Sequence, residues 1–94
     1  MDIKLEESGS GGRYFITTDN GDVAEMTFSK AGDSMIIIDH TSVPDSLRGG
    51  GYGQALVARA VEDMRAAGKK ILPLCPFAAT QFRRHPEHAD VLNK

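Results

Sequence analysis

The residues whose types and spacing promise chemistry are Arg48-Gly49-Gly50-Gly51-Tyr52-Gly53, four glycines in five positions behind an arginine. Glycine lacks the Cβ that would hold a ligand away from the backbone, and it adopts dihedrals that other residues avoid. Where such a turn leads from a strand into a helix, unpaired backbone N–H groups gather at the positive end of the helix dipole and favour an anion. Hydrogen bonds to a charged acceptor contribute roughly 1.5–3 kcal/mol each, so a few of them with Arg48 suffice to hold a pyrophosphate at about micromolar strength. Residues next to the loop exclude two familiar nucleotide motifs. A P-loop ends in Gly-Lys-Ser/Thr, whereas Gly53 precedes Gln54-Ala55, and the third glycine of a dinucleotide fingerprint counted from Gly51 falls on Leu56.

The elements that must position this loop are legible on both sides of it. Met35 to Val43 begins almost continuously apolar and β-branched, the pattern of a central strand buried on both faces, and Pro44 ends it. From Tyr52 to Ala67 the period changes: Leu56, Val57, Ala60, Val61 and Met64 recur at helical spacing, and Gly68 stands where a helix closes. Ile71 to Cys75 predicts a short strand parallel to the Ile36 strand, because a helix separates the two. A short helix is expected from about Ala78 to Arg84, leaving Val91 and Leu92 to dock from the tail. Upstream, Ile3 to Glu7 and Tyr14 to Thr18 form a hairpin across the Gly/Ser segment. Asn20-Gly21, whose residues tolerate positive φ, turns the chain into a third strand at Val23. The order is ββββαβα.

Bulk properties bound the function. The chain has 94 residues, enough for one domain (1–94) and one core. Its net charge of -2 and scattered basic residues argue against nucleic acid, and no apolar run is long enough to span a membrane. The start, Met1 to Glu7, lacks the pattern of a secretory signal, and the lone cysteine, Cys75, suits a reducing compartment, so a cytoplasmic location is expected. His85 and His88 have a spacing that could suit a metal, but no second ligand pair accompanies them, and no metal site is expected.

The loop resembles the Arg/Gln-x-x-Gly-x-Gly/Ala segment of the GNAT superfamily of acetyl-CoA-dependent N-acetyltransferases. His40-Thr41-Ser42-Val43-Pro44, Leu47-Arg48-Gly49, Leu72-Pro73-Leu74-Cys75-Pro76-Phe77 and His85-Pro86-Glu87 together are similar to small bacterial YjdJ-type GNAT-like proteins. The resemblance spans about Ile36 to Leu92. It implies a minimal GNAT-like α+β fold, a twisted and mostly antiparallel sheet with one parallel βαβ step at the acetyl-CoA loop. It also implies acetyl-CoA (coenzyme A) as co-substrate, with its pyrophosphate on the amides from Gly49 to Gly53 beside Arg48 and Tyr52. The pantetheine arm would run along the backbone near Val43 with Phe77 lining its channel, and the thioester would lie between the strand ends near Val43 and Cys75.

Transfer of an acetyl group to a lysine-like amine needs the neutral nitrogen, and deprotonation at pH 7 costs roughly 4.6 kcal/mol, about 3.4 pK units at 1.36 each. His40, at the end of the central strand, is one candidate base; it equally suits a role holding the strand end. Cys75 is the second candidate, as base, transient acyl acceptor or packing residue. The tyrosine that many GNAT enzymes use to protonate the departing thiolate is absent, since that helix reads Ala78-Ala79-Thr80-Gln81-Phe82. A short chain with an open groove suits a protein, peptide or small amine acceptor, or a second copy that completes the site as a homodimer. The competing expectation is a non-catalytic acyl-CoA-binding or sensing module.

Overall fold

The computed structural model describes residues 1–93. It contains β1 (Lys4–Glu7), β2 (Gly11–Thr17), β3 (Val23–Ala31), β4 (Met35–Ser42), α1 (Tyr52–Ala67), β5 (Lys70–Pro73) and α2 (Pro76–Arg84), with 3₁₀ turns at Asp45–Leu47 and Pro86–Val91. The order is the expected ββββαβα, an α+β arrangement. One sheet runs β1-β2-β3-β4-β5, antiparallel except for the parallel β4–β5 pair.

The core lies on one face of this sheet. Alternate residues Tyr14, Ile16, Ala24, Met26, Phe28, Ile36 and Ile38 point toward α1, whose buried positions Leu56, Val57, Ala60 and Val61 follow the helical period. Burying each large aliphatic side chain contributes roughly 1.5–3 kcal/mol. Polar bonds fix the helix against the strands. Tyr14 donates its hydroxyl to Asp63 at 2.8 Å, and Arg59 pairs with Asp63 at 3.2 Å while donating to the Ile3 carbonyl at 3.1 Å. Burial, and then the Asp63 hydrogen bond, push the Tyr14 hydroxyl well above its ordinary pKa.

The structure corrects several expectations. β4 is not buried on both faces: Ile36 and Ile38 are buried while Met35 and Ile37 are half-buried, because α1 and α2 both cover the same side. The turn at Asn20-Gly21 is part of a longer loop, in which the Thr18 amide bonds the Asp22 carbonyl at 2.9 Å and only Gly21 takes positive φ. β2 starts at Gly11 because the Ser8 amide closes the preceding turn on the Gly11 carbonyl at 2.7 Å. α2 starts at Pro76, where a missing N–H costs nothing at the first helical position.

One irregularity matters for function. β3 and β4 pair Phe28 with Ile38 but Thr27 with His40, so Asp39 is an extra residue, a β-bulge. Partners directly opposite share a face. Beyond the bulge Thr41, opposite buried Met26, turns to the helix-covered face, and His40, opposite half-buried Thr27, turns to the uncovered one.

Candidate functional site

β4 and β5 pair only from Met35 with Lys70 to Ile38 with Pro73. Just beyond, the amides of Leu74 and Cys75 both bond the Ile38 carbonyl at 3.2 Å, and β4 continues along β3 alone. The chain then passes Pro44 and the first 3₁₀ turn into the glycine loop. A cavity of about 400 Å³ opens along this unpaired strand edge, a size typical of small-molecule sites. It is lined by Thr41 and Val43, by Leu47, Arg48, Gly49, Gly51, Tyr52, Gly53 and Gln54, and by Phe77 and Gln81 of α2.

The glycines of the loop divide into two kinds. Gly49 and Gly51 have φ of 83° and 78°, and a Cβ at either would meet nothing within 4 Å, so they shape the turn and leave space before it. Gly50 and Gly53 serve packing. A Cβ on Gly50 would lie 2.6 Å from the Tyr52 ring, and one on Gly53 would lie 2.6 Å from the Phe77 ring. Gly53 is buried beneath Phe77, which corrects the expectation that every glycine here makes room for a ligand.

Gly51 is the N-cap of α1 and offers no side chain, and the first turn carries no acidic residue. The first intrahelical amide is that of Ala55, on the Gly51 carbonyl at 3.0 Å, so the amides of Tyr52, Gly53 and Gln54 have no intrahelical acceptor. Exposed Arg48 pairs with exposed Asp45 at 3.0 Å. A surface pair of this kind contributes at most about 1 kcal/mol, a small barrier to exchange for a phosphate.

The candidate catalytic residues are placed apart from one another. Cys75 is buried, 5% exposed, and its thiol donates to Thr41 Oγ1 at 3.4 Å, directly behind the cavity wall. His40 is exposed on the uncovered face and is not part of the lining, because the bulge turns it away from the side where an unbroken strand would put it. Gly50 is also outside the lining. Val43, Arg48, Gly49, Gly51, Tyr52, Gly53 and Phe77 line it together. Among the described residues no group of three or more His, Cys, Asp or Glu is arranged to hold a metal, and no helix is long and apolar enough to cross a membrane.

Four lining residues are not ones the sequence singles out for the site: Thr41, Leu47, Gln54 and Gln81. Gln81 had a readable signal. It occupies the buried stripe of α2 with Ala78 and Phe82, a polar residue at a core position. It is 7% exposed, and its Oε1 has no hydrogen-bond partner. An unpartnered buried acceptor ordinarily costs about 1–3 kcal/mol.

Residues 13–91 match the family model of GCN5-related N-acetyl-transferases. The chain belongs to that family. No curated protein matches it by sequence. Among solved structures it is similar to a GCN5-like protein from Staphylococcus aureus, determined in solution by NMR, to which N-acetyltransferase activity has been ascribed. The two are 30% identical with a TM-score of 0.74, over 96% of this chain and 87% of the other. GNAT membership accounts for the parallel β4–β5 step, at whose open end this chain builds its cavity.

Proposed function

We propose that this GNAT-family chain is an acetyl-CoA-dependent N-acetyltransferase that moves an acetyl group to a primary amine. The supporting observation is the cavity along the open edge of β4, which ends on the acceptor-free amides of Tyr52, Gly53 and Gln54. The residues present fit the co-substrate: the turn at Gly49 and Gly51 leaves open space, and Val43 and Phe77 line the same cavity as that turn. When bound, acetyl-CoA supplies an acetyl group activated as a thioester.

The chain's own residues divide the remaining work. The loop amides and Arg48 hold the pyrophosphate, and the β4 edge at Val43 and the Phe77 ring flank the arm and exclude water from it. The strand ends near Thr41, Val43 and Cys75 frame the place for the reacting carbonyl. The amine approaches from the uncovered face of the sheet, where His40 takes the proton that the amine must lose. Cys75 acts from the opposite side of β4 through its bond to Thr41. A protein, peptide or small amine acceptor suits this open face.

Calorimetric titration with acetyl-CoA tests the reading; absence of heat and of a thermal shift at millimolar ligand would sink it. His40→Ala and Cys75→Ala should bind the ligand like the parent and release thiol more slowly when an amine is supplied. Parent-like rates in both return the two residues to structural roles. A non-catalytic acyl-CoA-binding or sensing module is favoured by one observation, that neither His40 nor Cys75 belongs to the cavity lining. Binding without thiol release across a broad amine panel would establish it.

A further inference from the structure

The uncovered face of the sheet divides into two halves of different chemistry. Running across from β1, Glu6, Arg13, Thr27 and His40 are successive cross-strand partners, and Arg13 is held by Glu6 and Glu25, each at 2.8 Å. Both carboxylates are therefore already engaged. On the β4–β5 side Ile37 pairs with Leu72, and Met35 lies two residues before Ile37. All three are half-buried on the face opposite Ile36 and Ile38. Leu74 continues that face two residues past Leu72. Cys75, next in the chain, is buried on the other side against Thr41, while Leu74 is 63% exposed.

This apolar track leads to His40. Ile38 pairs with Pro73 and its carbonyl takes the Leu74 amide at 3.2 Å, so Leu74 comes level with the bulge at Asp39, one residue before His40. Asp39 is drawn toward β3 by Ser29, whose hydroxyl donates to it at 2.7 Å. The remaining cross-strand partners of the track are Ser29, Ala31 and Lys70, none of which carries a carboxylate. From Leu74 back to the level of Met35 is roughly 13 Å of strand, room for a short alkyl chain or an aromatic ring. A track two strands wide, most of it already half-buried, falls short of the roughly 800 Å² per partner of a standard protein interface, so a small apolar body suits it better than a second copy.

We propose that the acceptor is a primary amine on an apolar body, alkyl or arylalkyl, that lies along Leu74, Leu72 and Ile37 and brings its nitrogen to His40. This names the substrate class of the N-acetyltransferase reading and rests on it. Burial of the body on the track supplies binding, and the accompanying desolvation favours the neutral amine that must react. In the transfer the C–N bond forms as the C–S bond breaks, the electron pair leaves on the coenzyme A sulfur, and the amine proton leaves through His40.

The test measures thiol release from acetyl-CoA with butylamine, hexylamine, octylamine and phenethylamine, against spermidine and a basic lysine-containing peptide. KM should fall roughly two- to fourfold per added methylene up to the length of the track, and the two polycations should be the poorest acceptors. In Leu74→Asn, KM for octylamine should rise roughly tenfold, while calorimetric affinity for acetyl-CoA and the melting temperature stay at the parent values. KM values independent of chain length, or a preference for the polycations, overturn the inference and leave the N-acetyltransferase reading in place. A parent-like KM for octylamine in Leu74→Asn does the same. A parent dimer in sedimentation that Leu74→Asn dissociates would assign the track to a second copy and so overturn it as well. Absence of thiol release with every amine, although acetyl-CoA binds, overturns catalysis and the inference together. A readout apart from turnover is the methyl resonances of Ile37, Leu72 and Leu74, which should shift as octylamine is titrated into the coenzyme A complex and stay in place with spermidine; no shift with octylamine overturns the assignment.

Discussion

The two ends of α1 carry the same device and use it differently. Each has a glycine in the left-handed conformation, Gly51 at φ 78° and Gly68 at φ 70°. At the C-terminal end the chain satisfies itself. The Gly68 amide bonds the Arg65 carbonyl at 3.3 Å, the Lys69 amide bonds the Met64 carbonyl at 2.9 Å, and the Arg65 guanidinium grips Asp90 with two bonds of 2.7 Å. At the N-terminal end there is no capping side chain and no carboxylate in the first turn. Helices usually fill that place with Ser, Thr, Asp or Asn. A cap there would occupy the amides, and a carboxylate would also repel a phosphate. The contrast teaches that an unsatisfied helix end beside a cavity is informative only when the same helix shows a satisfied end.

The comparison is most exposed to one pair of matched substitutions. Gly51→Glu should weaken coenzyme A binding by more than about 100-fold, since losing two charge-assisted amide bonds costs at least ~3 kcal/mol. Gly68→Glu should leave that affinity unchanged by calorimetry. Equal affinities in the two variants would erase the distinction between the ends. Both substitutions force a side chain into the left-handed region, so each should lower stability by about 1–2 kcal/mol in denaturant titrations. That places the stability loss, unlike the affinity loss, at both ends alike.

The smallest effect sharpens the closed end. The Arg65 hydrogen bond is the main cause that lowers the Asp90 carboxyl from its ordinary 3.8 to about 2. A folded-state pKa below the unfolded one stabilises above the unfolded value and ceases to do so as pH falls through the folded value. Asp90→Asn should therefore melt below the parent at neutral pH, and the gap between the two should close between about pH 3.8 and 2. A gap that persists at the acid end would assign the effect to packing rather than charge.

Local signals carried most of the fold. The spacing of Leu56, Val57, Ala60 and Val61 fixed α1, Gly68 fixed its end, and the intervening helix implied the parallel step between β4 and β5. Nonlocal ones were not legible. An unbroken run of isoleucines in β4 does not say which face is covered, because that depends on α2 packing beside α1. The glycine run revealed an anion loop, but Gly50 and Gly53 answer to the rings of Tyr52 and Phe77, contacts that no spacing displays. His40 was expected beside the cavity, and its departure follows from a register shift set by β3. Gln81 had a legible oddity, a polar residue in an apolar stripe, but spacing alone does not place it beside the cavity.

The bulge at Asp39 works as an inverter. Side-chain direction along a strand is a two-state signal, and one inserted residue flips its phase for everything downstream. Removing Asp39 would keep every residue thought to matter and transpose their addresses: His40 would enter the cavity side, and Thr41 would leave Cys75 for open solvent. The count of residues between Ile38 and Thr41 is thus as much a part of this site as their identities.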